Sequence, residues 1–226
     1  LISKFEAGMM FRILVLLCLL TTTLTAQISS PENDTLRKHL IFEENFDNND
    51  KGWLDEDDLN PDKTKTHTAA IKDGLLHYSV TEGKIPLANA PKDKIDFGKD
   101  FEIEYSCKIL SAQRKNRYAV TLFWGRDTLN SSCYLYASQS GKMTFLTCTK
   151  EDLTNCAEYR EVKANWEKRD FNKIVMRKLN DTYSLYINDK FVKDYPYDEL
   201  RGSMIGLGAG PGTQVAYDYI KVYHLE

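Results

Sequence analysis

The stretch YAVTLFWGRDTLNSSCYLYASQSGKMTFLTC, running from Tyr118 to Cys148, decides the fold. Apolar and aromatic residues alternate with small or polar ones, and Gly, Asn, Asp and Ser gather at two breaks, so the stretch predicts three short antiparallel strands joined by polar turns. These read as central strands. Alternation places Val120, Leu122 and Trp124 on one face. It also gives Tyr134 and Tyr136 a common face, opposite Leu135 and Ala137, and leaves open which of those two sets points inward.

Working outward, FEIEYSCKI over Phe101 to Ile109 is the clearest strand. Phe101, Ile103, Tyr105, Cys107 and Ile109 form a core face, and Glu102, Glu104, Ser106 and Lys108 a wet one. His39 to Phe46 reads as an edge strand with Leu40, Phe42 and Phe46 as core residues. Lys72-Asp73-Gly74 is a hairpin turn leading into Leu75 to Val80, because Gly accepts positive φ. Thr81 to Asp100 reads as a long connection or a pair of weak edge strands. Downstream come Asn165 to Leu179, then Tyr183 to Asn188 with Tyr183, Leu185 and Ile187 buried, then Phe191 to Tyr195. GSMIGLGAGPG is a strand and a glycine turn; the spacing required of a dinucleotide-binding loop fails. QVAYDYIKVYHL closes the series. Ten to fourteen strands without a convincing helix predict an all-β protein of two packed antiparallel sheets, a jelly-roll sandwich.

Composition sets the compartment and the excluded partners. With 28% charged residues and a formal net charge of −3, the chain lacks the basic excess of a nucleic-acid-binding surface. Residues 1–26 read as upstream residues plus a secretory signal peptide, with Arg12 ahead of the apolar run Ile13 to Leu20 and Ala26 at its end. That run is too short to cross a bilayer as a helix, so no transmembrane segment is expected in the mature chain. Residues 27–38 read as a linker and 39–226 as one β-sandwich domain, secreted or periplasmic. Cys107, Cys133, Cys148 and Cys156 then lie in an oxidising compartment. Three pairings are possible; Cys148 with Cys156 across the polar tip TKEDLTN comes first, with Cys107 to Cys133 as the second bridge. The alternative is four free buried thiols.

The acidic segment DNNDKGWLDEDDLNPDK invites comparison with calcium loops. Lys51 stands where an EF-hand needs an oxygen ligand, so that motif fails. A looser calcium site drawing on Asp47, Asp50, Asp55, Asp57 and Asp58 is weighed against a solvated connection anchored by Trp53, and the connection is favoured. No other cofactor is expected.

The segments IFEENFDNNDKGW, IKDGLLHY, DFEIEYSCKI, YAVTLFWGRD…YLYASQSGKMTF, FNKIVMRKLNDTYSLYINDKFV and GSMIGLGAG…VAYDYIKVY together resemble exported bacterial domains, of the Bacteroidetes type, with the concanavalin A-like, laminin-G-like jelly roll. The resemblance covers nearly all of residues 39 to 226. It implies a fold that hosts lectins, glycan-binding modules, glycosidases and adhesion modules alike.

Three functions follow as expectations. The first is a non-catalytic glycan-binding module, whose ligand lies on Trp124, Arg126, Asp127, Tyr134 and Tyr136: rings stack on sugar C–H faces, and Arg and Asp pair with hydroxyls. The second is a glycoside hydrolase of the same fold. Glu102-Ile103-Glu104 is the nearest approach to its carboxylate motif, but the intervening Asp and a third carboxylate are missing, so a solvated strand face is the better reading. The third is a module docking on an envelope protein partner, which predicts an exposed apolar patch.

Overall fold

A computed structural model describes residues 36–54, 66–82, 87–89, 95–113, 117–126, 132–148, 156–199 and 202–226, with only the backbone for 87–89. The signal-peptide segment and most of the linker lie outside the described residues. Contacts gather Arg37–Glu226 into one unit.

Fourteen strands follow in order: β1 Lys38–Glu44, β2 His67–Lys72, β3 Leu75–Val80, β4 Leu87–Asn89, β5 Phe101–Ala112, β6 Val120–Arg126 and β7 Ser132–Ala137. They continue as β8 Lys142–Cys148, β9 Cys156–Lys163, β10 Asn172–Leu179, β11 Thr182–Ile187, β12 Lys190–Pro196, β13 Met204–Ala209 and β14 Thr213–Leu225. One sheet runs β12-β11-β10-β5-β14-β3-β2, with β1 also pairing β14; the other runs β4-β13-β6-β7-β8-β9. Every pairing is antiparallel. The chain is the two-sheet jelly-roll sandwich that the alternation predicts.

Local chemistry sets the turns and the register. Asp73 and Gly74 both take positive φ, 56° and 71°, the pattern of a two-residue hairpin turn that matches strand twist. Gly141, after β7, also has positive φ, and a Cβ there would lie 2.5 Å from Cβ of Trp166. Only glycine fits.

The core lies between the sheets. Phe101, Ile103, Tyr105 and Cys107 of β5 meet Leu122, Trp124, Leu135 and Phe145 of the facing sheet. Trp124 stacks on Phe145 at 5.8 Å and meets the edge of Tyr183 at the same distance. Tyr217 of β14 reaches across the sandwich, its hydroxyl donating to the carbonyls of Gly208 and Thr121 in the opposite sheet. Trp53 is buried against Phe46, and its indole N–H donates to the buried Glu44 carboxylate at 3.1 Å. The described part of the acidic segment, Asp47 to Leu54, is therefore anchored by Trp53; the rest of it lies outside the described residues.

Three expectations are corrected. Leu40 is half exposed, because a bulge between Leu40 and Phe42 shifts the register against β14. Leu40 then sits opposite Tyr223 while Phe42 sits opposite Val222 in the core; an extra residue reverses the facing of everything before it. Cys107 and Cys133 are free thiols rather than a bridge. They lie in opposite sheets, and Cys133 Sγ is 3.7 Å from the Tyr183 hydroxyl; burial pushes both thiols up. The face of β5 expected to be wet is shielded at Glu102, which is 1% exposed. Its carboxylate is held by Lys38 at 2.5 Å and Arg177 at 2.7 Å.

Candidate functional site

The site is built on the outer face of the six-stranded sheet. In β7, Cys133, Leu135 and Ala137 belong to the core, so Tyr134 and Tyr136 point away from it. The choice left open by the sequence is settled by the neighbouring strands. Phe123 of β6 sits opposite Tyr134, and Thr121 opposite Tyr136. On β8, Leu146 pairs with Tyr134 and Thr144 with Tyr136. The result is a second apolar cluster, separate from the core, of Phe123, Tyr134 and Cys148 flanked by Tyr136, Leu146, Cys156 and Met204.

Its rings form a continuous row. Tyr118 meets Tyr136 edge-on at 4.7 Å, Tyr136 stacks on Tyr134 at 5.9 Å, and Tyr134 lies 6.3 Å from Phe123. The guanidinium of Arg126 sits 5.8 Å over Phe123 at the end of the row. Burial pushes the Tyr136 phenol well up, so it stays a neutral donor and acceptor.

Buried polar atoms without partners occur here, as they do at Tyr105, Trp124 and Tyr195 in the core. Thr121, Ser132 and Thr144 are buried, and their hydroxyls have no hydrogen-bond partner. By strand alternation all three share the face of Phe123, Tyr134 and Tyr136. A buried hydroxyl without a partner costs about 1–3 kcal/mol, so such atoms mark places where a ligand or ordered water completes the bonding.

The edge of the face is closed by covalent and ionic ties. Cys148 and Cys156, opposite one another on β8 and β9, form a disulfide with a Cα separation of 4.3 Å. The pairing is the first choice made from the sequence. At the same edge Arg117 pairs with Glu158 at 3.3 Å and with Glu161 at 2.9 Å, and Lys142 with Glu161 at 2.9 Å. Hydrogen bonding from Lys142, reinforced by Arg117, holds the Glu161 carboxyl below its ordinary range.

Among the residues expected to bind, the structure brings Arg126, Tyr134 and Tyr136 together on one face. Trp124 is not with them: it is fully buried between the sheets, because β6 puts it in phase with Val120 and Leu122. Asp127 lies outside the described residues. Tyr118, Phe123 and the three hydroxyls lie on this face and are candidates the sequence reading missed. Their signal was the odd-numbered phase of β6, usable once β7 was oriented.

The carboxylate pair weighed for hydrolysis lies elsewhere. Glu102 and Glu104 are on the outer face of the other sheet; Glu102 is bound by Lys38 and Arg177, and Glu104 accepts a hydrogen bond from the Tyr219 hydroxyl at 2.9 Å. Among the described residues no group of three or more His, Cys, Asp or Glu side chains could hold a metal ion. Of the calcium candidates, Asp55, Asp57 and Asp58 lie outside those residues. No described helix is long and apolar enough to cross a membrane.

No family model and no curated protein matches the sequence. Solved structures do match in fold. A carbohydrate-binding module, CBM66 from Bacillus subtilis, superposes with a TM-score of 0.52 and 13% identity, over 68% of this chain and 92% of that one. A prokaryotic β-1,3-1,4-glucanase (lichenase) derived from a mouse hindgut metagenome gives 0.56 and 16%, over 81% and 98%. The exoplasmic/lumenal domain of VIP36, in a Ca2+/Man-bound form, gives 0.51 and 13%, over 70% and 81%. The chain shares with them the concanavalin A-like jelly-roll fold.

Proposed function

We propose that this chain is a glycan-binding module that holds a polysaccharide on the outer face of the six-stranded sheet and does not cleave it. The observation that carries the reading is the row Tyr118, Tyr136, Tyr134 and Phe123, set among the unpartnered hydroxyls of Thr121, Ser132 and Thr144. Tyr118 and Tyr136, the partly exposed rings of the row, offer apolar faces to sugar C–H groups, with the buried Tyr134 and Phe123 supporting them from below, and the hydroxyls are donors and acceptors of the kind sugar oxygens pair with. A carbohydrate-binding module and a glucanase among its structural neighbours are in keeping with this reading.

Hydrolysis would need two carboxyl groups flanking the bond, one of them held protonated near neutral pH. Glu158 and Glu161 are the described carboxylates at the edge of this face, and both are tied to Arg117. Glu161 is shifted toward the anion, the wrong direction for a general acid. Export belongs to the same proposal: the Cys148–Cys156 disulfide suits an oxidising compartment, where a free polysaccharide would be met.

A glycan array followed by calorimetry tests the reading. Tyr134→Ala combined with Tyr136→Ala is expected to weaken binding by about 10- to 100-fold or more, since each lost ring contact is worth about 0.5–1.5 kcal/mol beyond its buried area. Undiminished binding by that variant overturns the placement. Release of reducing ends from the bound polysaccharide overturns the non-catalytic assignment.

A further inference from the structure

We infer that the glycan held on this face is acidic, its carboxylate or sulfate pairing with Arg126; the inference rests on the proposed glycan-binding reading and specifies the ligand class. Regular alternation along β6 would send Arg126 inward, in phase with Val120, Leu122 and Trp124. That does not happen. The register against β13 runs Ile205 to Trp124 and then Met204 to Arg126, so Gly125 is an inserted residue. Its φ of 67° is the left-handed conformation that a glycine bulge uses to re-aim the next side chain. The bulge delivers Arg126 to the outer face, where it lies over Phe123.

Arg126 differs in its surroundings from the ion-paired cations, and shares with Lys108 and Lys193 a place over a ring with no carboxylate at ion-pair distance among the described residues. Arg117, Lys142, Arg177, Lys178 and Lys221 each have a carboxylate within ion-pair distance. Arg126 has none among the described residues and is partly shielded from water. A guanidinium left unpaired beside a ring is an anion-recognition group, with a planar fork that matches a carboxylate. A second observation converges on the same place. Ser132 precedes Cys133, the last residue paired with β6, opposite Trp124, and its hydroxyl is buried without a partner among the described residues. One end of the aromatic row thus presents a guanidinium and a buried hydroxyl without partners among the described residues, while at the other end Arg117, over Tyr118, is matched by Glu158 and Glu161. An acidic sugar matches the guanidinium, and a neutral chain leaves it unmatched.

Calorimetry with polygalacturonate, its carboxyl-reduced neutral counterpart and dextran sulfate separates the cases. The expected result is binding of one or both acidic polymers at least about tenfold tighter than the neutral one. Affinity should fall as salt rises. Arg126→Ala should lose about tenfold or more toward the acidic polymer and little toward the neutral one, with Arg126→Lys in between. Arg126→Gln, which keeps side-chain length, serves if the alanine variant fails to fold. Preference for the carboxylated or the sulfated polymer identifies the anion, and either supports the inference. Equal affinity for acidic and neutral polymers, with binding still lost in the Tyr134→Ala/Tyr136→Ala variant and kept in Arg126→Ala, overturns the acidic ligand and leaves the glycan-binding site standing. Binding unaffected by the tyrosine pair fails the site itself.

Discussion

The two outer faces of the sandwich have opposite electrostatic characters. On the eight-stranded sheet the carboxylates are answered one after another: Glu102 by Lys38 and Arg177, Glu43 by Lys221 at 2.8 Å, Asp189 by Lys173, and Asp194 by the Ser184 hydroxyl at 2.6 Å. On the six-stranded sheet the central strands carry rings, and, among the described residues, three buried hydroxyls without partners and an arginine without a carboxylate. The first face has closed its own bonds and serves as an exterior. The second leaves bonds open, and open bonds in a buried setting are where a ligand gains most. Among the described residues the exposed large apolar side chains do not gather on a third surface: Leu40 and Ile41, Leu110 and Phe191 lie on β1, β5 and β12, which are not neighbours in the sheet.

The sharpest way to break this contrast is through the residue expected on the wrong side of it. Trp124→Ala should destabilise the fold by about 3–5 kcal/mol in urea denaturation, as a core cavity does. Trp124→Phe should leave glycan affinity unchanged. A selective loss of affinity in a stably folded Trp124→Phe protein would move the site into the sandwich.

The disulfide comes next. Replacing Cys148 and Cys156 by Ser should lower stability by about 2–3 kcal/mol, the loop entropy of so short a separation. Reduced and oxidised protein compared by thermal melting supply the measurement, and equal midpoints would refute it. Glu102→Ala should cost about 1–2 kcal/mol, discounted because Lys38 is partly exposed and regains water. Glycan binding should be unaffected by it, since the closed face is not the site; a weakened complex would erase the distinction between the faces.

The smallest effect is acid sensitivity. Glu43 and Glu161 have folded-state pKa values lowered below 4.5 by hydrogen bonds from Lys221 and Lys142 respectively. Their contribution is therefore complete above about 4.5 and is lost as pH falls through the lower folded values. Both are near the surface, so the loss should stay under about 1 kcal/mol and shrink in high salt. Urea midpoints across pH 3 to 6 for the wild type and a Glu43→Gln/Glu161→Gln variant check this; identical pH slopes would remove these groups from the account.

Alternation carried most of the fold. The phases of β5 and β11 are those their sequences predict, because each has one apolar set and one polar set. β7 could not be oriented alone: SCYLYA carries apolar bulk on both faces, and only packing against β6 and β8 chooses. Bulges were the second blind spot. Leu40 and Arg126 both sit beside an inserted residue that reverses facing, and an insertion is visible only against the partner strand's register. The Cys107–Cys133 bridge failed for a related reason: even cysteine number says nothing of which sheet each thiol enters.

Strand β14 lies between β5 on one side and β3 and β1 on the other, and it follows all three in the chain. The eight-stranded sheet therefore lacks its middle until residue 225 has been made, with Lys38 waiting for Leu225 across the whole domain. Contacts that distant in sequence make folding slow and late. The six-stranded sheet, whose own strands all precede β14, is tied to that late strand through the Tyr217 hydroxyl, so the two layers lock together through it only once that strand has been made.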